Sequence, residues 1–212
     1  KFSLTAMDTA QRVTERYQGQ LHAAVAALNL PAALKLCEEF ELECVGADLA
    51  VAAPFQKVQM VGYLAENDLN NARYLWKRLP PATKVQDAEI QALWAVGQLM
   101  WTREHANVYK ALMTTPWTEW MQPLIGILTA QLRSRNLELV VTAYACISVS
   151  DCCILLGLPE PQMLEVAAKG GWQYDATSKL LAPMRPAVAC HVDDPANNLR
   201  DLTRFIVTLG TK

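Results

Sequence analysis

Laid against itself at an offset of 35, the stretch from Val61 to Pro81 returns the same residue five times: Val61, Gly62, Leu64, Tyr74 and Pro81 meet Val96, Gly97, Leu99, Tyr109 and Pro116. A period near 34 with two helices per unit is the signature of tetratricopeptide-like stacking, in which neighbouring repeats share one continuous core. Each glycine is predicted to mark a close approach between helices. The composition agrees, because 52% of the 212 residues are apolar and only 9 are glycine, against 6 tryptophans. Such a chain can bury a core without disulfide or metal support, and it is expected to be mostly α.

Punctuation divides the chain into elements. Pro31 suits a first helical turn, and Leu34, Cys37, Phe40 and Cys44 recur at three and four, predicting a helix that ends near Gly46. Pro54 is read as the start of the next helix, with Val58, Val61 and Leu64 on one face. Glu66-Asn67-Asp68 then turns the chain and caps a helix running to about Leu79, where Pro80-Pro81 stops it. Trp117 to Ser134 reads as helix, and Leu137 to Cys146 as a further apolar one. Lys1 to Gln20 stays outside the functional argument.

The pattern then changes to helix, turn, helix and ribbon. Ser150 is read as capping Asp151 to Gly157, and a second helix follows from Pro161 to Lys169. Trp172 to Asp175 and Lys179 to Pro183 are predicted strands. The expected layout is an uncertain segment 1–20, a helical-repeat array 21–136, a winged helix 137–188, a linker 189–196 and a terminal helix 197–212.

Charge decides what this winged helix can bind. Ser148 to Val192 holds Lys169, Lys179 and Arg185 against Asp151, Glu160, Glu165 and Asp175, and the whole chain carries a formal charge of -2. Too little positive charge is present to release several counterions from a duplex, so protein docking is expected and nucleic acid is not. The six cysteines form no Cys-x-x-Cys pair and the three histidines are scattered, so no metal or other cofactor is expected. A metalloprotease needs a His-x-His pair, which His22, His105 and His191 cannot form. Cys190-His191 is an adjacent thiol and imidazole on an irregular stretch, and His105 reads as a surface residue; no catalytic role is assigned to any of them. The thiols read as reduced and intracellular, and no apolar stretch reaches the roughly 20 residues that a bilayer requires, so no membrane partner is expected.

The run Asn70-Asn71-Ala72-Arg73-Tyr74-Leu75-Trp76-Lys77-Arg78-Leu79-Pro80-Pro81-Ala82-Thr83-Lys84 is the most distinctive in the chain. With Leu93-Trp94-Ala95-Val96-Gly97-Gln98, Trp101, Val108-Tyr109, Gly171-Trp172, Asp175 and Leu202-Thr203-Arg204-Phe205, it resembles the PCI-domain family, whose members are subunits of the COP9 signalosome, the proteasome lid and translation initiation factor 3. The likeness covers roughly Leu34 to Leu209 and is strongest to the branch that forms subunit 8 of the signalosome. It implies repeats, a winged helix and a C-terminal bundle helix, in a scaffold subunit that acts within a hetero-oligomer, beside subunit 3, in nucleus and cytoplasm. The complex removes Nedd8 from cullins, and its zinc centre belongs to a different subunit. The alternatives are a related scaffold of the lid or the initiation factor, or a self-standing winged-helix adaptor.

Two partner surfaces are expected. In the terminal helix, Leu199, Leu202, Ile206 and Leu209 recur at three, four and three with Phe205 beside them, a coiled-coil-like seam suited to other subunits' helices. Arg73 and Lys77 lie one helical turn apart, with Arg78 adjacent, and suit an acidic partner.

Overall fold

The computed structural model describes the backbone of residues 2–43 and 49–184, and side chains of 14–43 and 52–184. Helices α1 (Phe2–Ala26), α2 (Leu30–Glu43), α3 (Leu49–Glu66), α4 (Leu69–Arg78), α5 (Pro81–Gln86), α6 (Ala88–Thr102), α7 (His105–Thr114) and α8 (Gln122–Ala143) come first. Strand β1 (Ile147–Ser148), α9 (Val149–Leu156), α10 (Glu160–Lys169), β2 (Gln173–Asp175) and β3 (Leu180–Ala182) complete a winged helix after a tetratricopeptide-like array. The expected mostly α architecture is present.

Local chemistry sets the boundaries. Asn29 accepts from the Ala32 amide at the start of α2, and Leu34, Cys37 and Phe40 are buried as their spacing predicts. Asn67 adopts a left-handed φ of 62° that ends α3, and Asp68 caps α4 through the Asn71 amide. Pro80 and Pro81 do stop α4, but Pro81 at once begins the short α5, since a proline loses nothing in a first turn. Pro54 does not start its helix: it stands inside α3, which begins at Leu49. Ser148, not Ser150, caps α9, accepting from the Asp151 amide at 3.1 Å.

The two glycines of the repeat lie where helices meet. A Cβ on Gly62 of α3 would stand 2.9 Å from Leu34 Cδ1 and 3.2 Å from Leu34 Cβ of α2. One on Gly97 of α6 would stand 3.2 Å from Leu64 Cδ2 of α3. Each repeat thus takes a leucine of the preceding unit into a gap left by a missing side chain. Tyr74 and Tyr109 break the equivalence, one exposed on α4 and the other buried from α7.

Polar ties cross this array. Lys57 bridges Asp87 at 2.8 Å and Glu89 at 2.7 Å, while Glu89 also accepts from the Thr118 amide and Asp87 caps α6. Burial works against the Glu89 carboxylate, but the Lys57 and Thr118 hydrogen bonds outweigh it and hold its pKa below the ordinary range. Between α2 and α4, Arg78 grips Glu41 through two contacts of 2.8 and 2.9 Å. Phe40 and Phe55 stack with centroids 3.8 Å apart, and Tyr17 of α1 meets Phe40 edge-on.

The helices expected at Trp117–Ser134 and Leu137–Cys146 are one, α8, which starts at Gln122 with Pro123 in its first turn and runs unbroken through 136. It serves two cores. Leu124, Ile125, Leu128 and Leu132 join the array's core, which extends back to Tyr17, whereas Val140 joins a second core with Ile147, Cys152, Leu156, Met163 and Leu181. Buried positions 124, 128, 132, 136 and 140 advance four residues at a time, and each step turns about 40° beyond a full circle. Between Leu124 and Val140 the buried face rotates by about 160°. The two cores therefore use different faces of one rod, and α7 of the array also reaches α9 directly, through Tyr109 against Gly157.

Gly62→Ala is expected to destabilise by about 1 to 2 kcal/mol, because moving the Leu34 stem costs more than the roughly 1 kcal/mol of helix propensity gained. Gly97→Ala meets only a methyl end and should fall within about 1 kcal/mol of zero. Denaturant melts of the pair check the difference, and equal losses would contradict it. Because Glu89 is held below its ordinary value of 4.5, its share of stability is present above that pH and lost as pH falls through it and below. Lys57→Met should shrink the gap between denaturant midpoints at pH 7 and pH 4; an unchanged gap would contradict the assignment.

Candidate interaction surfaces

The winged helix is fixed to the array by side chains of α8 that satisfy the carboxyl end of α9. The last carbonyls of a helix lack intrahelical donors and carry partial negative charge. Arg133 meets two, its Nε donating to the Leu156 carbonyl at 3.1 Å and its Nη2 to that of Gly157 at 3.3 Å. Asn136 donates to the Leu155 carbonyl at 2.8 Å. The same amide reaches the Tyr109 hydroxyl at 3.0 Å and His105 Nδ1 at 3.3 Å, so two hydrogens serve three acceptors.

Tyr109 of α7 closes this junction from the array side. Its ring lies under the Arg133 guanidinium, 5.6 Å from centroid to Cζ, and against Gly157, whose φ of 62° ends α9. A Cβ at Gly157 would fall inside that ring. His105 is not the surface residue the sequence suggested. It is half-buried, and burial, with Arg103 adding to it, holds its pKa below the usual histidine range. Its Nδ1 faces the Asn136 side-chain amide, which gives the ring a structural place in the junction.

Beyond the junction, the three strands pair antiparallel in the order β1-β3-β2. Leu181 of β3 opposes Ile147 on one side and Tyr174 on the other, and is fully buried. Strand β2 is an edge, with Gln173, Tyr174 and Asp175 all exposed. Asp175 accepts from the Thr177 amide and the Ser178 hydroxyl, which shapes the turn into β3. Leu139, Tyr144, Ile154, Tyr174, Leu180 and Met184 are large apolar side chains exposed on this subdomain or its helix. The outer face of α10 shows Gln162, Glu165, Ala168 and Lys169, too weak a positive field for phosphates.

Arg73 and Lys77 are exposed on α4 as expected, with Lys77 Nζ 5.9 Å from the Tyr74 ring centroid. Arg78 has a different task, being held by Glu41. Leu199, Leu202, Phe205, Ile206 and Leu209 lie outside the described residues, as do Cys44, Cys190 and His191. Among the described residues no three His, Cys, Asp or Glu side chains are grouped as a metal ion would need, and no helix is long and apolar enough to cross a membrane. Sequence reading missed the exposed face of Trp101, which the seven-residue spacing from Trp94 could have placed on one helix face.

A family model described as the CSN8/PSMD8/EIF3K family matches residues 53–189. The chain is 37% identical over 151 residues to "COP9 signalosome complex subunit 8" of Xenopus tropicalis, covering 71% of this chain and 77% of that one. It is 37% identical over 153 residues to the protein of the same name from Danio rerio, covering 72% and 80%. With the Arabidopsis thaliana protein of that name it shares 27% identity over 188 residues, 88% of this chain and 95% of the other.

The α8–α9 junction lies wholly inside the matched span. Asn136→Ala strands the Leu155 carbonyl and the Tyr109 hydroxyl, and should cost about 1 to 3 kcal/mol. Gly157→Ala adds a left-handed alanine and a clash with the Tyr109 ring, for a loss on the order of 2 to 4 kcal/mol. Urea titrations followed by tryptophan fluorescence check both, and a Gly157→Ala variant as stable as the parent would overturn the close packing.

Proposed function

This chain belongs to the CSN8/PSMD8/EIF3K family, and from that premise we propose that it is a non-catalytic scaffold subunit of a COP9 signalosome. The observation that carries this reading most directly is that frog, fish and plant proteins bearing the subunit 8 name align with it over most of both lengths. A scaffold needs surfaces rather than an active site, and the exposed β2 edge with the apolar side chains around it is such a surface. The chain contributes position to the removal of Nedd8 from cullins, and the chemistry occurs on another subunit.

The finer parts of the reading concern how it enters the complex. The winged helix, residues 137–188, pairs laterally with a neighbour, of which subunit 3 is the first candidate. The terminal helix, 197–212, inserts its seam of Leu199, Leu202, Phe205, Ile206 and Leu209 among other subunits' helices. A helix of about 14 residues is marginal alone in water, so burying that seam is what stabilises it. The assembly works in nucleus and cytoplasm.

Co-expression of the full chain with the remaining signalosome subunits tests this. It should enter at one copy per complex, and removal of residues 197–212 should abolish entry while leaving the thermal melt of the remainder cooperative. The isolated full chain should release no Nedd8 from a neddylated cullin. Full-stoichiometry entry of the truncated chain would sink the seam as assembly element, and preferential entry into a proteasome lid or an initiation-factor complex would replace the signalosome reading.

A further inference from the structure

Helices α4 and α6 pack side by side but leave a groove between them, a cavity of about 500 Å³ open to solvent. Ala72 of α4 and Gly97 of α6, both buried, are among the small residues that line it. Trp94 and Trp101 line the α6 side. Seven residues apart, they project from nearly the same face. Trp94 is held rigid by stacking on Trp76, with centroids 5.3 Å apart and planes within 6°, whereas Trp101 is 56% exposed.

Charge identifies the occupant. Among the described residues that line it Arg73 alone is charged, and α4 contains no acidic residue from Leu69 to Arg78. The nearest carboxylate in sequence, Asp68, is committed, with Oδ1 accepting from the Asn71 amide and Oδ2 from its side chain. Lys77 lies one turn from Arg73 along the same helix, and among the described residues no ion pair neutralises either cation. An apolar trough with one aromatic wall is thus rimmed by positive charge that the described residues leave without a counter-charge.

We propose that the α4–α6 groove docks an amphipathic helical segment of another polypeptide, with an aromatic or leucine anchor between Trp94 and Trp101 and a carboxylate on Arg73 and Lys77. Two walls of helix suit a third helix laid between them, and tryptophan and arginine are among the residues enriched where a few side chains dominate such contacts. A small ligand would need polar groups converging on the floor, and here they stand at the rim, on Arg73 and Gln98. The proposal deepens the scaffold reading by giving it a second contact, remote from the terminal helix.

The test uses the full chain and two fluorescent 18-residue helical peptides, identical in carrying tryptophan and leucine at i, i+4 and i+7, one flanked by glutamates and the other by lysines. The acidic peptide should bind at least tenfold more tightly, and weaken as salt is raised from 50 to 300 mM. Arg73→Glu should abolish or reverse the preference, and Trp101→Ala should weaken the acidic peptide at least tenfold. Arg73 is exposed, so a normal melt of that variant keeps the test valid even if Trp101→Ala misfolds. Equal binding of both peptides, no binding of either, or indifference to Arg73→Glu would overturn the proposal. Displacement of the acidic peptide by indole-3-propionate at equal affinity would reassign the groove to small aromatic acids, which also overturns it. Peptide binding is read without the complex, so a chain that binds the peptide yet fails to join the signalosome would count against the scaffold reading alone.

Discussion

The carboxyl end of α9 cannot satisfy its own carbonyls, and the protein's architecture turns on where their donors come from. Arg133 and Asn136 of α8 supply them, and Tyr109 of α7 is bound by the same two residues. Three carbonyls, one phenol and one imidazole are thereby locked to a single helical turn. Loss of a donor here leaves a buried acceptor bare, which costs more than most exposed contacts can return. The orientation of the winged helix on the array is therefore specified by hydrogen-bond accounting, with apolar contact filling the space around it. Gly157 is the steric half of the same device, because the Tyr109 ring occupies the space a side chain would take.

On the array side, stability is distributed differently. Stacked Phe40 and Phe55, the Lys57 ion cluster and the Arg78–Glu41 pair each join a different pair of helices. Such an arrangement suits a stack of repeats, whose stability is approximately a sum over neighbours. It also leaves α4 free to face outward with its cations, since its inner face needs only Ala72, Leu75 and Leu79 for burial.

Much of this was legible in the residues. Local punctuation read well, because Asp68, Pro81 and Gly157 act through bonds and torsions within a few positions of themselves. The repeat read well at Gly62 and Gly97, where a missing side chain is itself the contact. Pro54 misled, since a proline favours a helix start yet stays tolerable a turn or more inside one when packing outweighs its lost bond. Helix α8 was read as two because its buried face precesses: no single stripe spans it, and a window centred on 136 sees burial change sides. His105 misled for the opposite reason, as its partner Asn136 lies 31 positions away and no local pattern announces it. The groove depends on two helices meeting, and only the Trp94–Trp101 spacing hinted at it.

Because α8 contributes to both cores from different faces, the segment between Leu132 and Val140 sets an angle as well as a distance. One residue added there would swing the winged helix about 100° around the rod while lengthening it by only about 1.5 Å. Four added residues would miss the original bearing by about 40°, and seven by about 20° in the other sense. Length changes in this stretch are thus quantised by the helical repeat: insertions of near-integral turns preserve the relative bearing of the two subdomains, and single-residue changes rotate one out of register with the other. The same count that keeps Asn136 under α9 fixes the direction in which the exposed β2 edge points.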